Sequence, residues 1–308
     1  MKLKNRIKRR LLGFFKSFYS FDKYMYQRDL SKSRMFSEDL ILIYTMGKVA
    51  STSLYESLKN VYPNKDIFHL HRLNGSYLDE REKMIKSEVF GNKEYPRHLS
   101  TGLLWKPQWL SAIIKENKFN NLKLITVIRE PISRNISLFF QWIDFKETED
   151  KYIFKSRNNN YPFEITTPKN DLTELYDFFY TKFVIDSHLE WFKSEMYSVF
   201  DIDVFDNSFN KEKGYSIIEK ENVTLLVFKM EQITKSFNPA MVDLFGEEIE
   251  LIRANEASSK PINKVYVDFK NNIRLPREYV DKLYNSEYMK HFYTELEINS
   301  FKNKWLKN

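Results

Sequence analysis

The chain has 308 residues, 42% of them apolar and 16% aromatic, enough to bury a large core as one big domain or two small ones. It has no cysteine, which excludes disulfides and cysteine-based zinc or iron–sulfur sites and suits a reducing compartment such as a bacterial cytoplasm. The net charge is +7, yet Lys2, Lys4, Arg6, Lys8, Arg9, Arg10 and Lys16 all precede the first acid, Asp22, and the remaining 42 bases balance 42 acids, so a duplex nucleic-acid partner is not indicated.

Residues 1–35 read as a basic amphipathic segment, with Leu3, Ile7, Leu11, Phe14, Phe15 and Phe18 at roughly helical spacing. Its apolar run is too short and too charged to span a bilayer. Lys16 interrupts it and no small-residue cleavage site follows, so it does not read as a signal peptide. Two readings stay open: a helix lying on an anionic membrane surface, or a basic helix end that is solvated or packed on its own domain.

Residues 36–308 read as one domain. Strands are expected at Leu40–Thr45, Asp66–Leu70, Lys123–Ile128 and Val223–Phe228. Helices are expected at Ser51–Asn60, Asp79–Glu88, Pro107–Lys115, Ile132–Phe145, Leu172–Phe200, Asn238–Leu244, Arg277–Asn285 and Ser286–Lys304, with Phe154–Asp171 a surface loop. Apolar strands alternating with helices predict an α/β fold, a parallel sheet flanked by helices, with a helical C-terminal periphery. Such sheets bind ligands at the carboxyl ends of their strands.

Two segments stand at such ends. The first, Leu40–Asn60, runs from an apolar strand through Gly47-Lys48 to Ser51-Thr52-Ser53 and into a helix. It has the outline of a phosphate cradle without the Walker spacing, since Leu42 stands where that pattern needs its first glycine. Only seven glycines occur in the chain, so one in this loop is informative. The second, Arg129–Ser137, closes a strand with an arginine, starts a helix with Pro131, and carries Ser137 two turns on. Arginine, hydroxyl and helix amino end can converge on one anion.

The segments "GKVASTSL" and "REPISRNIS" resemble the 5′-phosphosulfate-binding loop and the 3′-phosphate-binding segment of the sulfotransferases, which use 3′-phosphoadenosine-5′-phosphosulfate (PAPS). The stretch Glu190–Ile233, the run "HFYTELEI" and the closing "NKW" resemble a bacterial branch of capsular polysaccharide synthesis proteins. The likeness runs from about Leu40 to Trp305. It implies a P-loop-like sulfotransferase fold, PAPS as co-substrate without a metal, and sulfuryl transfer to a hydroxyl or amine of a glycan in capsular or surface polysaccharide synthesis. The absence of cysteine points to a cytoplasmic location, and the first reading of the basic segment would make it peripheral at the inner membrane face. One departure is Ala50, where sulfotransferase loops commonly have glycine.

On this resemblance Gly47, Lys48, Val49, Ala50, Ser51, Thr52 and Ser53 would hold the 5′-phosphosulfate, with Lys48 stabilising charge on the leaving oxygen. Arg129 and Ser137 would hold the 3′-phosphate. Arg134 would assist, or form a structural ion pair, the reading favoured for it. The acceptor needs a base. His69 and His71 alternate onto one strand face, with His71 nearer the carboxyl end and expected to be the base; His98 and a carboxylate such as Glu195 are the rivals. Trp191 and Phe192 read as core. Lys260 or Lys264, in the loop Asn255–Lys264, would touch the 3′-phosphate or be exposed. A glycosyltransferase or phosphotransferase of capsule assembly is a second reading, for which Asp201-Ile202-Asp203 has the metal-motif spacing but lies among apolar residues. A non-catalytic membrane-associated assembly factor is a third.

Overall fold

Ile41, Leu42, Ile43 and Tyr44 form an unbroken apolar run, and all four are fully buried in strand β1 (Asp39–Tyr44). A parallel strand covered on both faces requires such a run. The computed structural model describes residues 19–31, 39–90, 104–157, 162–183, 186–252 and 261–306. In it β1 lies between β2 (Ile67–Leu70) and β3 (Asn121–Ile128), parallel to both. Strand β8 (Val223–Lys229) pairs in parallel with the other side of β3. Strand β7 (Tyr215–Lys220) closes that side as a hairpin with β8, so the order is β2-β1-β3-β8-β7. The expected sheet is therefore mixed rather than parallel throughout. The two-residue connection between β7 and β8 leaves no room for a crossover and dictates the antiparallel edge.

The helices follow the expected alternation. Residues 19–31 form α1, and α2 (Ser51–Val61) follows β1 and packs on β1 and β2. Helices α3 (Gly75–Phe90) and α4 (Lys106–Lys115) pack together, and α5 (Pro131–Gln141) follows β3. Helix α1 docks through Tyr19, which accepts from Trp105 Nε1 at 3.1 Å, and through Lys23, paired with Glu82 at 3.1 Å. Residues 1–18 of the basic segment lie outside the described residues. Helix α6 (Thr173–Lys182) follows a second sheet, and α7 (Ile233–Phe245) packs on β7 and β8. The C-terminal layer consists of α8 (Pro261–Asn272), α9 (Arg277–Tyr284), α10 (Glu287–Phe292) and α11 (Glu295–Trp305), with α8 and α9 against α5. No helix of the described residues is long and apolar enough to cross a membrane.

Four expectations are corrected. The helix predicted over Ile132–Phe145 ends at Gln141, and Ile143 opens an antiparallel ladder of β4 (Ile143–Glu147), β5 (Lys151–Ser156) and β6 (Glu164–Pro168). The supposed loop Phe154–Asp171 contains the end of β5 and all of β6; pairing buries Phe154 against Phe145 and Ile165. The single helix over Leu172–Phe200 is α6 followed, further on, by a π-helical turn, Phe192–Tyr197. The helix over Ser286–Lys304 breaks at Tyr293, whose backbone is extended, and restarts with a capping box between Thr294 and Glu297.

The π-helical turn presents Phe192, Glu195 and Met196 to the interior. Glu195, only 1% exposed, accepts from the N–H groups of Leu73 and Asn74, each at 2.9 Å, from Tyr44 Oη, and from Arg72 Nη1 at 3.1 Å. One carboxylate thus ties the end of β1 to the turn after β2. Glu195→Ala would strand these donors, and should lower unfolding stability by roughly 3–5 kcal/mol in a urea titration, the scale for breaking a buried charged pair. A loss under about 1 kcal/mol would show that the hub is dispensable.

Candidate functional site

Past Tyr44 the chain leaves β1 through the loop 45–50. Lys48 has φ 72° and Ala50 φ 59°, so two residues with side chains take left-handed backbone within three positions. Each such residue costs roughly 1–2 kcal/mol, and strain of this kind collects at functional sites. Gly47 is not left-handed, and a Cβ there would meet no atom within 4 Å. The expected need for glycine thus falls on Ala50, while Gly47 borders open space. Ala50 is the N-cap of α2, and no side chain caps that end. Val49 is fully buried and pins the loop. Thr52 is half-buried, and Ser53 accepts from Ser57 Oγ at its carbonyl, 2.8 Å.

The second segment meets the first. Arg129 Nη1 donates to the Lys48 carbonyl at 2.8 Å. Burial, then the Arg129 charge, lowers the Lys48 pKa. The amino end of α5 is not open to an anion as expected: Glu130, 1% exposed, accepts there from Ile132 and Ser133 N–H at 2.7 and 2.9 Å. Ser137 is half-buried, and its hydroxyl makes no hydrogen bond among the described residues. Arg134 corrects the reading favoured for it. It is 7% exposed and forms no ion pair among the described residues; Nη1 donates to Asn135 Oδ1 at 3.1 Å and Nε has no partner. Burial brings its pKa to about 10, with Arg129 and Arg72 adding to the effect.

The histidines share one face, as alternation requires, with rings 4.9 Å apart. His71 Nδ1 lies 2.8 Å from the Thr45 carbonyl, which only accepts, so Nδ1 carries the hydrogen and Nε2 is left with a lone pair. His71 keeps an exposed surface; crowding by protein, then the charges of Arg72 and Arg134, lowers its pKa. His69 lies deeper, half-buried, with Nε2 2.8 Å from Ser51 Oγ, so that hydroxyl faces the strand. Burial, then His71, depresses its pKa to about 4. Of the rivals, Glu195 is enclosed by its donors and His98 lies outside the described residues. Trp191 is core, 1% exposed, and donates from Nε1 to the His71 carbonyl at 3.2 Å.

Lys264 is exposed in the first turn of α8, and Lys260 lies outside the described residues. Two other lysines feel the Arg129 charge: partial burial, then Arg129, lowers the pKa of half-buried Lys270, and the pKa of Lys304, exposed at its surface, is lowered by crowding, then by Lys270 and in smaller part by Arg129. Lys304 stands in the closing "NKW", the one sequence signal that pointed to it. Asp201 pairs with Lys220, and Asp203 accepts from Phe205 N–H at 2.9 Å. Among the described residues, no group of three or more His, Asp or Glu has the arrangement of a metal site.

Residues 163–294 match the model of a family described as "Putative capsular polysaccharide synthesis protein". The match covers less than half of the chain and contains neither the loop 45–50 nor Arg129–Ser137. No curated protein and no solved structure matches.

The histidine environment has a pH signature. Above pH 6.5 His69 is neutral folded or unfolded; below it the unfolded chain takes a proton that the folded site refuses until about pH 4. Stability should therefore fall as pH drops through that window, and His69→Gln should flatten the slope in urea titrations at stepped pH. An unchanged slope would show that His69 does not titrate as its surroundings dictate.

Proposed function

We propose that the chain is a PAPS-dependent sulfotransferase acting on a glycan hydroxyl or amine in capsular or surface polysaccharide synthesis. The observation that carries the reading is the hydrogen bond from Arg129 to the Lys48 carbonyl. It brings the ends of adjacent parallel strands together as one basic cradle, where a doubly phosphorylated nucleotide needs both.

The residues present fit such a nucleotide. Lys48, Arg129, Arg134, Lys270 and Lys304 form no ion pair among the described residues, and Arg134 is buried with Nε unpartnered. Lys48, Arg129 and Lys270 are half-buried and Lys304 is exposed, and a buried cation such as Arg134 is stabilised by an anion. Lys48 and the uncapped end of α2 would hold the 5′ side; Arg129, with Ser137, Lys270 and Lys304, would hold the 3′-phosphate. When bound, PAPS supplies a sulfuryl group and its adenosine bisphosphate is the leaving group. Lys48 would stabilise negative charge developing beside the loop, more in the transition state than in the ground state. His71 Nε2 would take the acceptor's proton, while the Thr45 carbonyl fixes the tautomer through Nδ1. The match to the capsule family supports the pathway, not the chemistry. A cytoplasmic protein whose basic amino-terminal residues rest on the inner membrane face would meet lipid-linked glycans there.

Adenosine 3′,5′-bisphosphate should stabilise the protein in a thermal-shift assay without metal. Arg129→Ala should weaken its binding by roughly 1.5–3 kcal/mol, with a much smaller effect on 5′-AMP. Equal loss for both nucleotides would remove Arg129 from the 3′-phosphate.

Activity needs neutral His71, and its pKa is lowered from 6.5, so the acid limb of the kcat/KM profile should lie below pH 6.5. His71→Ala should cost roughly two to four orders of magnitude in turnover and abolish that limb. Retention of both turnover and limb would assign the base elsewhere.

A further inference from the structure

Beside His71 lies a pocket of about 430 Å³, lined by His69, His71, Arg72, Tyr77, Arg81 and Pro107 among others. Strand β2 forms one wall. Helix α3 forms another, with Tyr77 and Arg81 four residues apart and so on one face. Pro107, at the start of α4, bounds it further. The described residues that line it include two arginines and no carboxylate.

The two arginines differ in their commitments. Arg72 gives Nη1 to Glu195 at 3.1 Å and lies 5.4 Å from the centroid of the Tyr77 ring, so its guanidinium is held in place with other donors unspent. Arg81 is half-buried, and its side chain makes no ion pair or hydrogen bond among the described residues. Tyr77, 41% exposed, offers an aromatic surface of the kind that sugar rings pack against. A fixed guanidinium, an uncommitted one and a phenol around one cavity make a receptor for an anionic group carried on a sugar. The volume lies in the range of small-molecule sites.

We propose that this pocket receives the acceptor, and that the acceptor is an acidic saccharide: a sugar bearing a carboxylate or phosphate that Arg81 and Arg72 bind while a neighbouring hydroxyl or amine faces His71 Nε2. The proposal rests on the reading of His71 as base. The charge selects the substrate; it takes no part in the transfer. A neutral glycan leaves Arg81 unpaired, whereas an acidic one gives it a charge-assisted, potentially bidentate partner.

The test uses the full chain and ligand-observed NMR titration. The probes are a hexuronate-containing tetrasaccharide against its carboxyl-reduced counterpart, and glucose 1-phosphate against glucose. At least one charged probe should bind roughly tenfold to a hundredfold tighter than its neutral partner, the range for a charge-assisted contact. The pair that shows the preference tells carboxylate from phosphate. Arg81→Ala should erase the preference and Arg81→Lys should keep part of it, a pattern that a structural role for Arg81 would not produce. No charge preference in either pair, or one that survives Arg81→Ala, overturns the proposal. Adenosine 3′,5′-bisphosphate binding is read by thermal shift in the same samples. A preference abolished by Arg81→Ala without nucleotide binding would leave the pocket for an acidic saccharide standing and bring down the sulfotransferase reading; the converse would do the reverse.

Discussion

A single phenol fixes the end of β3. Tyr288 Oη accepts from the Arg129 N–H at 3.0 Å and donates to the Arg129 carbonyl at 3.1 Å, and its ring is 1% exposed. A strand that outruns its partners leaves backbone groups that need satisfying, and a buried pair left open would be costly. Tyr288 meets both needs of that residue at once, which fixes the backbone from which the guanidinium reaches Lys48. Tyr284 adds a hydrogen bond to the Glu130 carboxylate, and Tyr293 one to Glu231, which in turn accepts from the Glu130 N–H. The helical C-terminal layer thus acts on the cradle from behind. Tyr284, Tyr288, Tyr293, Glu195 and Trp191 all fall within the span that matches the capsule family. That span contains the supports of the candidate site, whereas the loop 45–50 and Arg129–Ser137 precede it.

The charge distribution has the same logic. Outside the amino-terminal segment acids and bases balance, yet Lys48, Arg129, Arg134 and Lys270 keep no ion pair among the described residues, and Arg72 pairs with Glu195. Buried Glu130 is filled by two backbone N–H groups and the Tyr284 phenol, and Glu195 by two backbone N–H groups, the Tyr44 phenol and Arg72, so little of their capacity remains for Lys48, Arg129, Arg134 or Lys270. Burial lowers the pKa values of Lys48, Arg134 and Lys270, the sign of charge held at a cost in solvation. Such a basin is an electrostatic receptor kept ready by the fold.

The central strands were legible because burial on both faces leaves an apolar run with one interpretation. Lys48, Arg129 and His71 were legible because each follows a strand end, where the topology of a parallel sheet collects ligands. The β4–β6 ladder was not. Ile143 and Phe145 extend the apolar pattern of Phe139 and Phe140 as a helix or begin a strand equally well, and pairing with Phe154, from farther along the chain, decides. The break at Tyr293 depends on a tertiary bond to Glu231 and on the Thr294 cap, which a helical period conceals. Glu195 in "WFKSE" carries no mark of its burial, and the unpaired state of Arg134 is a fact about its neighbours. Lys270 and Lys304 come within range of the Arg129 charge only through the placing of α8 and α11.

The position of β2 in the sheet separates the two halves of the site. The loop 45–50 and Arg129 follow strands with neighbours on both sides, whereas β2 is four residues long and pairs only with β1. A change after His71 disturbs one ladder; the same change after Tyr44 or Ile128 would disturb two. Sequence drift is therefore cheaper at the His71 edge than at the ends of the two central strands. If the proposed function holds, descendants of this chain can alter which sugar they recognise by remodelling an edge, while the donor site stays locked in the middle of the sheet.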